Sequence, residues 1–245
     1  MKKDGFKPRI YRRWVEGKDL VAFTVTENET DLCIRATTDL ERKARRLVLK
    51  YRKQLEGYIE KDPAFQASLK PVKVPANAPF IVRQMAEAAQ TAGVGPMAAV
   101  AGAIAECVGR ELLEFSPEVI VENGGDIFLK VLHRRTIGIY AGDSPLTGKI
   151  GIQIEAKDTP LGVCTSSGTV GHSLSFGRAD AVAVLAPSTA LADAAATAIG
   201  NRVSRPEDVA GALEFARGIT GLKGVVVIIG EEIGAQGAIR LCETS

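Results

Sequence analysis

Residues 162–201, GVCTSSGTVGHSLSFGRADAVAVLAPSTALADAAATAIGN, constrain this chain more than any other stretch. A short loop holds four hydroxyl residues (Thr165, Ser166, Ser167, Thr169), three glycines including Gly168, and His172. An apolar run from Ala179 to Pro187 follows and reads as a buried strand. Next comes an alanine-rich helix with Asp193 and Thr197, capped by Gly200 and Asn201. Small donors crowded ahead of a buried strand pack poorly by themselves, so a polar ligand is expected there. Backbone N–H groups beside small hydroxyls can converge on a phosphate. Asp193 and Thr197 are four residues apart and share one helix face. A carboxylate and a hydroxyl so placed can ligate a hard divalent cation, Mg2+ or Ca2+. The purely structural alternative makes Asp193 a partner of the helix dipole.

The rest of the chain alternates between two periodicities. VAFTVTENETDLCIRAT predicts two strands around a turn at Asn28–Glu29. Residues 39–59 switch to helical spacing, with Asp39 as N-cap and a strongly basic outer face. A proline-rich connection, 61–79, holds a short helical candidate around 65–69. A helix opened by Pro79 ends at Gly93, and a buried helix follows Gly95–Pro96. EVIVENGGDIFLKVL predicts strand, turn and strand. RRTIGIYAG, IGIQIEA, LGVCTS, Val225–Ile229 and AIRLCE predict further strands, and residues 206–218 a helix. The sum is a mixed α+β fold with a central, mainly antiparallel sheet and buried helices. Residues 1–75 are expected to pack on a main domain of residues 76–245, the whole forming one compact domain.

Gly124 and Gly125 permit positive φ and close backbone approach. Asp126 stands at the start of the next strand. The segment serves as a hairpin turn, and a ligand-facing donor pair with a carboxylate is the functional alternative. His172, as base or phosphate ligand, is the catalytic candidate; His133, beside Arg134 and Arg135, reads as surface. The buried helix after Gly95 offers an N-terminus for an anion. Its Glu106 must be paired or at an edge, because an isolated buried carboxylate is strongly unfavourable.

Net charge is +2, so no overall attraction for polyanions is implied. Basic residues cluster at Lys2–Arg13 and Arg42–Lys53, read as a solvated face; few aromatics interleave them, so nucleic acid is not expected. Cys33, Cys107, Cys164 and Cys242 show no metal-ligand spacing. Cys164, beside the hydroxyl loop, is the thiol to test for reactivity. The polar N-terminus has no apolar signal region, and no apolar run approaches the roughly 20 residues a membrane span needs. A cytoplasmic protein with reduced thiols and no membrane contact is expected.

VIVENGGDIFL, VCTSSGTVGHS and LADAAATA, in that order, resemble the ApbE-like superfamily, known for FAD:protein FMN transferases. They are closer still to a branch found in archaea and anaerobic bacteria. AVAGAIAE is similar in position to a helix that carries a Lys-Gly pair and an acid. The resemblance covers residues 80–205. It implies an ApbE-like fold and FAD or FMN as ligand. It implies a Mg2+ site at Asp193 and Thr197, and a nucleotide bordered by Gly124, Gly125, Asp126, Thr165, Ser167 and Gly168. It also implies a protein acceptor that receives FMN on a hydroxyl through a phosphoester. For this branch the alternative is an accessory role in homocysteine formation and sulfur assimilation, non-catalytic or sulfur-transferring. The family's Lys-Gly is Ala101-Gly102 here, and its His-x-x-Asp-Pro is His172-Ser173-Leu174-Ser175-Phe176.

Overall fold

The central strands of this chain bury both faces, and the alternation of their side chains sorts them into two cores. In the computed structural model, which describes Arg12, residues 14–169 and residues 175–244, the order begins with β1 (Val21–Glu27) and β2 (Thr30–Ala36). Then come α1 (Glu41–Ile59), α2 (Ala64–Ala67), α3 (Phe80–Ala92) and α4 (Val100–Leu112), the last entered through a 3-10 turn at Pro96–Ala99. β3 (Val119–Asn123), β4 (Asp126–Lys130), β5 (Arg135–Gly138), β6 (Ile150–Ile154), β7 (Leu161–Ser166) and β8 (Ala181–Ala186) follow. α5 (Thr189–Gly200), α6 (Val209–Arg217), β9 (Gly224–Ile229), β10 (Glu232–Gly237) and β11 (Leu241–Glu243) complete the order.

One eight-stranded sheet runs β1-β2-β3-β4-β7-β8-β9-β10, antiparallel at every pair. Val119, Val121, Phe128, Cys164, Val182, Val184, Val225 and Val227 point to one face and meet the helices. Ile120, Ile127, Leu129, Val163, Ala183, Leu185, Val226 and Ile228 point to the other. There they meet a second sheet, β11-β6-β5. α1 lies over β1, α4 over β3 and β4, α5 over β7 and β8, and α6 over β9 and β10.

The expected elements are present, with two differences. β5, β6 and β11 form their own sheet, because their apolar sides are needed to cover the second face of the large one. β10, whose EIGAQG holds two glycines and only one strong strand former, was not foreseen; it pairs along β9 from Glu232↔Ile229 to Gly237↔Gly224. Asp39 does accept the Glu41 N–H at 2.9 Å, although Leu40 is the residue that flanks the helix. No single helix among the described residues is long and apolar enough to cross a membrane.

The registers place the β1–β2 turn, the β3–β4 turn and the β7–β8 connection at one end of the large sheet. Leu32 sits opposite Asn123, and Asp126 opposite Cys164. The β9–β10 turn joins them, since Asp180 Oδ2 accepts the Gly230 N–H at 2.7 Å.

Candidate functional site

Alternation along β4 turns Asp126 with Phe128 toward the helices, and along β7 it turns Cys164 the same way. Asp126 therefore lies beside the Cys164 thiol, whose single S–H donates to the Thr189 carbonyl at 3.3 Å. The Thr165 N–H bonds to the Asp126 carboxyl. Above them, α5 brings down Asp193. Its Oδ2 accepts the Gly102 N–H at 2.9 Å, and the Ala101 N–H bonds to it as well. The helix N-terminus expected to seat an anion thus seats a carboxylate of the protein itself.

Close approach of α4 and α5 depends on Gly102. A Cβ there would lie 2.5 Å from the Thr189 carbonyl oxygen and 2.8 Å from Asp193 Cβ.

Both aspartates are buried, and no salt bridge reaches either among the described residues. Burial pushes Asp126 well above the usual carboxylate range, and the Asp193 charge adds to the rise. The adjacent Cys164 thiol and the Thr165 N–H oppose it. Burial pushes Asp193 to about 7, against the pull of the Gly102 and Ala101 N–H groups. The same surroundings push the Cys164 thiol up: burial first, then the charges of Asp126 and Asp193.

The Gly124–Gly125 turn is held from both faces. Both glycines have positive φ, 68° and 113°. A Cβ on Gly125 would stand 3.5 Å from the Thr165 carbonyl, so the turn abuts the hydroxyl loop. Glu122 Oε1 accepts the Gly125 N–H at 3.0 Å, and its Oε2 pairs with Arg12 at 2.6 Å. Asn123 Nδ2 donates to the Ala101 carbonyl at 3.1 Å. The Gly125 donor is therefore engaged within the protein.

The hydroxyl loop divides by direction. Ser166 follows Cys164 toward α5 and reaches the neighbourhood of Gly200, one turn beyond the half-buried Thr197. Thr165 alternates to the opposite side, with Val163. Ser167 Oγ accepts the Thr169 N–H at 3.1 Å, and the Thr169 hydroxyl bonds to Asp180 at 3.0 Å. These two hydroxyls brace the loop. Gly168 is exposed. His172 lies outside the described residues.

Sequence reasoning missed how Glu106 is used. This buried carboxylate accepts the Thr189 N–H at 2.7 Å and the Ser188 hydroxyl at 3.3 Å, and pairs with Arg110 at 2.7 Å. It occupies the N-terminus of α5. The signal was present in the four-residue spacing of Gly102 and Glu106, which places both on the α4 face that meets α5.

No group of three His, Cys, Asp or Glu side chains able to hold a metal occurs among the described residues. The donors at hand are Asp193, Asp126 and the Thr197 hydroxyl. Two buried carboxyls without a counter-charge suit a hard cation that keeps oxygen ligands from carbonyls, water or substrate. A thiol held protonated between carboxyls does not suit a soft metal. It is also a poor nucleophile. Iodoacetamide on the native protein should spare Cys164 and modify the half-exposed Cys242, with Cys164 alkylated only after unfolding. Mass spectrometry of the peptides reads the result; rapid native alkylation of Cys164 would contradict its burial.

The family model described as "AbpE bacteria" matches residues 12–235. The chain belongs to that family. This AbpE-family chain is 48% identical to a UPF0280 protein of Methanocaldococcus jannaschii over 204 residues, 81% of this chain and 82% of that one. It is 46% identical to a UPF0280 protein of Methanocella arvoryzae over 194 residues, 78% of each. In fold it is similar to the apo flavinyl transferase ApbE of Pseudomonas stutzeri, with a TM-score of 0.57 at 16% identity, covering 92% of this chain and 94% of that one. The apbe protein of Thermotoga maritima gives a TM-score of 0.53 at 14% identity, covering 88% and 96%. The ApbE-like fold and the archaeal branch expected from the three motifs are both found.

Proposed function

We propose that this chain binds a flavin nucleotide, FAD or FMN, together with Mg2+ or Ca2+, and acts as a transferase of the FMN-transfer type. The observation that carries this reading is the pair of buried, uncompensated carboxyls, Asp126 and Asp193, at the loop end of an ApbE-like sheet. Asp193 and Thr197 would hold the cation from one face of α5, with Asp126 opposite. Bound there, the cation would supply Lewis-acid polarisation of a phosphoryl oxygen.

The chain's own residues set the frame. The first turn of α4 orients Asp193 through the Gly102 and Ala101 N–H groups. Glu122, Asn123 and Arg12 hold the Gly124–Gly125 turn against the hydroxyl loop. That turn and Thr165–Thr169 would border the nucleotide, with Ser166 the hydroxyl on the Asp193 side. His172 would serve as base or phosphate ligand. The acceptor would be a protein hydroxyl. A sulfur-transfer role would need a reactive thiol, and Cys164 is buried with its pKa raised.

Thermal unfolding of nucleotide-free protein with FAD, with and without Mg2+, tests the reading. Ligand at about 100 times its dissociation constant adds roughly 2.7 kcal/mol, a rise of about 5–10 °C for a chain of this size. The rise should require Mg2+ and be followed by AMP release when an acceptor protein is supplied. No shift at saturating FAD would overturn it.

A further inference from the structure

α1 carries seven Lys and Arg against two Glu, and the structure uses them unequally. Arg45 pairs with Glu27 and Glu41, and Arg52 with Glu29 and Glu56. Arg52 also bonds the Thr30 hydroxyl at 2.8 Å, so these two arginines fasten the helix to the β1–β2 hairpin. Lys50 pairs with Glu111 on α4, and Lys43 lies 3.8 Å over the Phe115 ring. Arg42, Arg46 and Lys53 are exposed, with no ion pair among the described residues.

Helical geometry lines these three up. Ala44, Val48, Tyr51 and Leu55 point into the core. Arg42, Arg46, Leu49 and Lys53 stand at i, i+4, i+7 and i+11 on the opposite side, a straight row about 17 Å long. Leu49, inside the row, is 50% exposed. Like charges four residues apart destabilise a helix, and among the described residues no carboxylate pairs with them. Glu41 and Glu56 bound the row at its ends.

We infer that this row is the docking face for an acidic helical segment of a partner protein, with an apolar side chain of that segment seated on Leu49. Charge complementarity selects an anionic partner, and three features select a protein. An apolar side chain within a charged rim matches the layout of a protein interface, whose centre is apolar and whose rim is polar. A single-stranded nucleic acid would need exposed aromatics for stacking, and Tyr51, the aromatic within the row's span, is buried. A lipid surface would need a broad apolar face, and that of α1 is turned into the core. The row also climbs toward the candidate site. Arg52 reaches Thr30, at the same sheet end as the Gly124–Gly125 turn. The inference deepens the transferase-type reading by giving its acceptor protein a docking face, and it rests on that reading only in naming the partner an acceptor.

The probe is a fluorescent alanine-based peptide about 18 residues long, with Glu at i, i+4 and i+11 and Leu at i+7. Anisotropy should show saturable binding that weakens about tenfold or more between roughly 50 and 300 mM NaCl. The variant R42E/R46E/K53E should lose it and instead bind the same peptide with Lys in place of Glu, which the wild type should not. Leu49→Ser should weaken binding about tenfold with the salt dependence kept. An unchanged unfolding midpoint for the triple variant shows that the fold is intact.

Equal binding by the triple variant, or no binding at low salt, would overturn the inference. So would tighter binding of an oligouridylate of similar length, or of phosphatidylglycerol vesicles, either of which would reassign the row to RNA or to an anionic membrane. The Mg2+-dependent FAD shift should be the same in wild type and triple variant. Loss of that shift in both would overturn the flavin reading and leave the peptide result standing.

Discussion

Asp193→Asn abolishes the Mg2+-dependent rise in unfolding temperature with FAD, while the free protein keeps its fold and gains stability at neutral pH. The isosteric amide still accepts from the Gly102 N–H, so the 2.9 Å contact between α4 and α5 survives. What disappears is a buried charge. Asp193 has its pKa raised from 3.8 to about 7 in the folded state, chiefly by burial. A raised carboxyl pKa means that the folded state holds its proton more tightly than the unfolded chain. Its favourable contribution is complete below about 4 and is lost as pH rises to about 7. The wild type therefore loses stability across that window, and the amide substitution removes this loss. A cation bound at Asp193 would act in the opposite sense, since it would compete with the proton. Mg2+ affinity of the wild type should rise with pH and level off above about 7. Unfolding midpoints at pH 5, 6, 7 and 8, with and without Mg2+, check both signs. A variant that kept the FAD and Mg2+ shift of about 5–10 °C would remove Asp193 from the site.

Gly102→Ala destabilises the protein by about 1 kcal/mol, lowering its midpoint by roughly 2–4 °C. Two effects compete. Alanine favours a helix over glycine by about 1 kcal/mol. Against this, the new methyl would sit 2.5 Å from the Thr189 carbonyl oxygen, a backbone atom that cannot swing aside. Overpacking of that kind costs about 1–3 kcal/mol and sometimes more, so the clash wins. Pushing α4 from α5 also breaks the bond to Asp193, so metal-dependent FAD binding should fall with stability. Gly57→Ala is the control. Gly57 lies inside α1 with nothing within 4 Å of its would-be Cβ, so alanine there should stabilise by about 0.5–1 kcal/mol. Equal behaviour of the two variants would mean that α4 and α5 are not in the contact described.

Much of the architecture was legible in local pattern. VAFTVTE and TDLCIRA alternate, and they form β1 and β2 around a turn where Asn28 has φ of 52°. Gly93 ends α3 in a left-handed conformation, as a glycine after the last periodic residue should. β10 was invisible because Gly234, Gly237, Glu232 and Ala235 are poor strand formers and Ile233 alone packs on the core, so pairing with β9 supplies most of its strand character. The site was legible only in part. Asp126 and Asp193, named from motifs, and Ser166, one of the four loop hydroxyls, turn toward the same sheet–helix junction, whereas Thr165, also named from a motif, turns to the other side of the sheet. The hydroxyls of Ser167 and Thr169 were indistinguishable from theirs in sequence, yet they are spent on bracing the loop.

By itself the sequence determined the helices and every strand but β10, the glycine turn and the ordered motifs of the family, because each depends on residues within a few positions of one another. The tertiary structure alone decided which sheet each strand joins and which carboxyl faces which. It put Asp193 on the N-terminus of α4, 91 positions away, and Glu106 on that of α5. It also left one row of α1 without carboxylate partners among the described residues. Helix termini and buried charges take whatever partner packing brings within about 3 Å, and spacing along the chain carries no record of that distance.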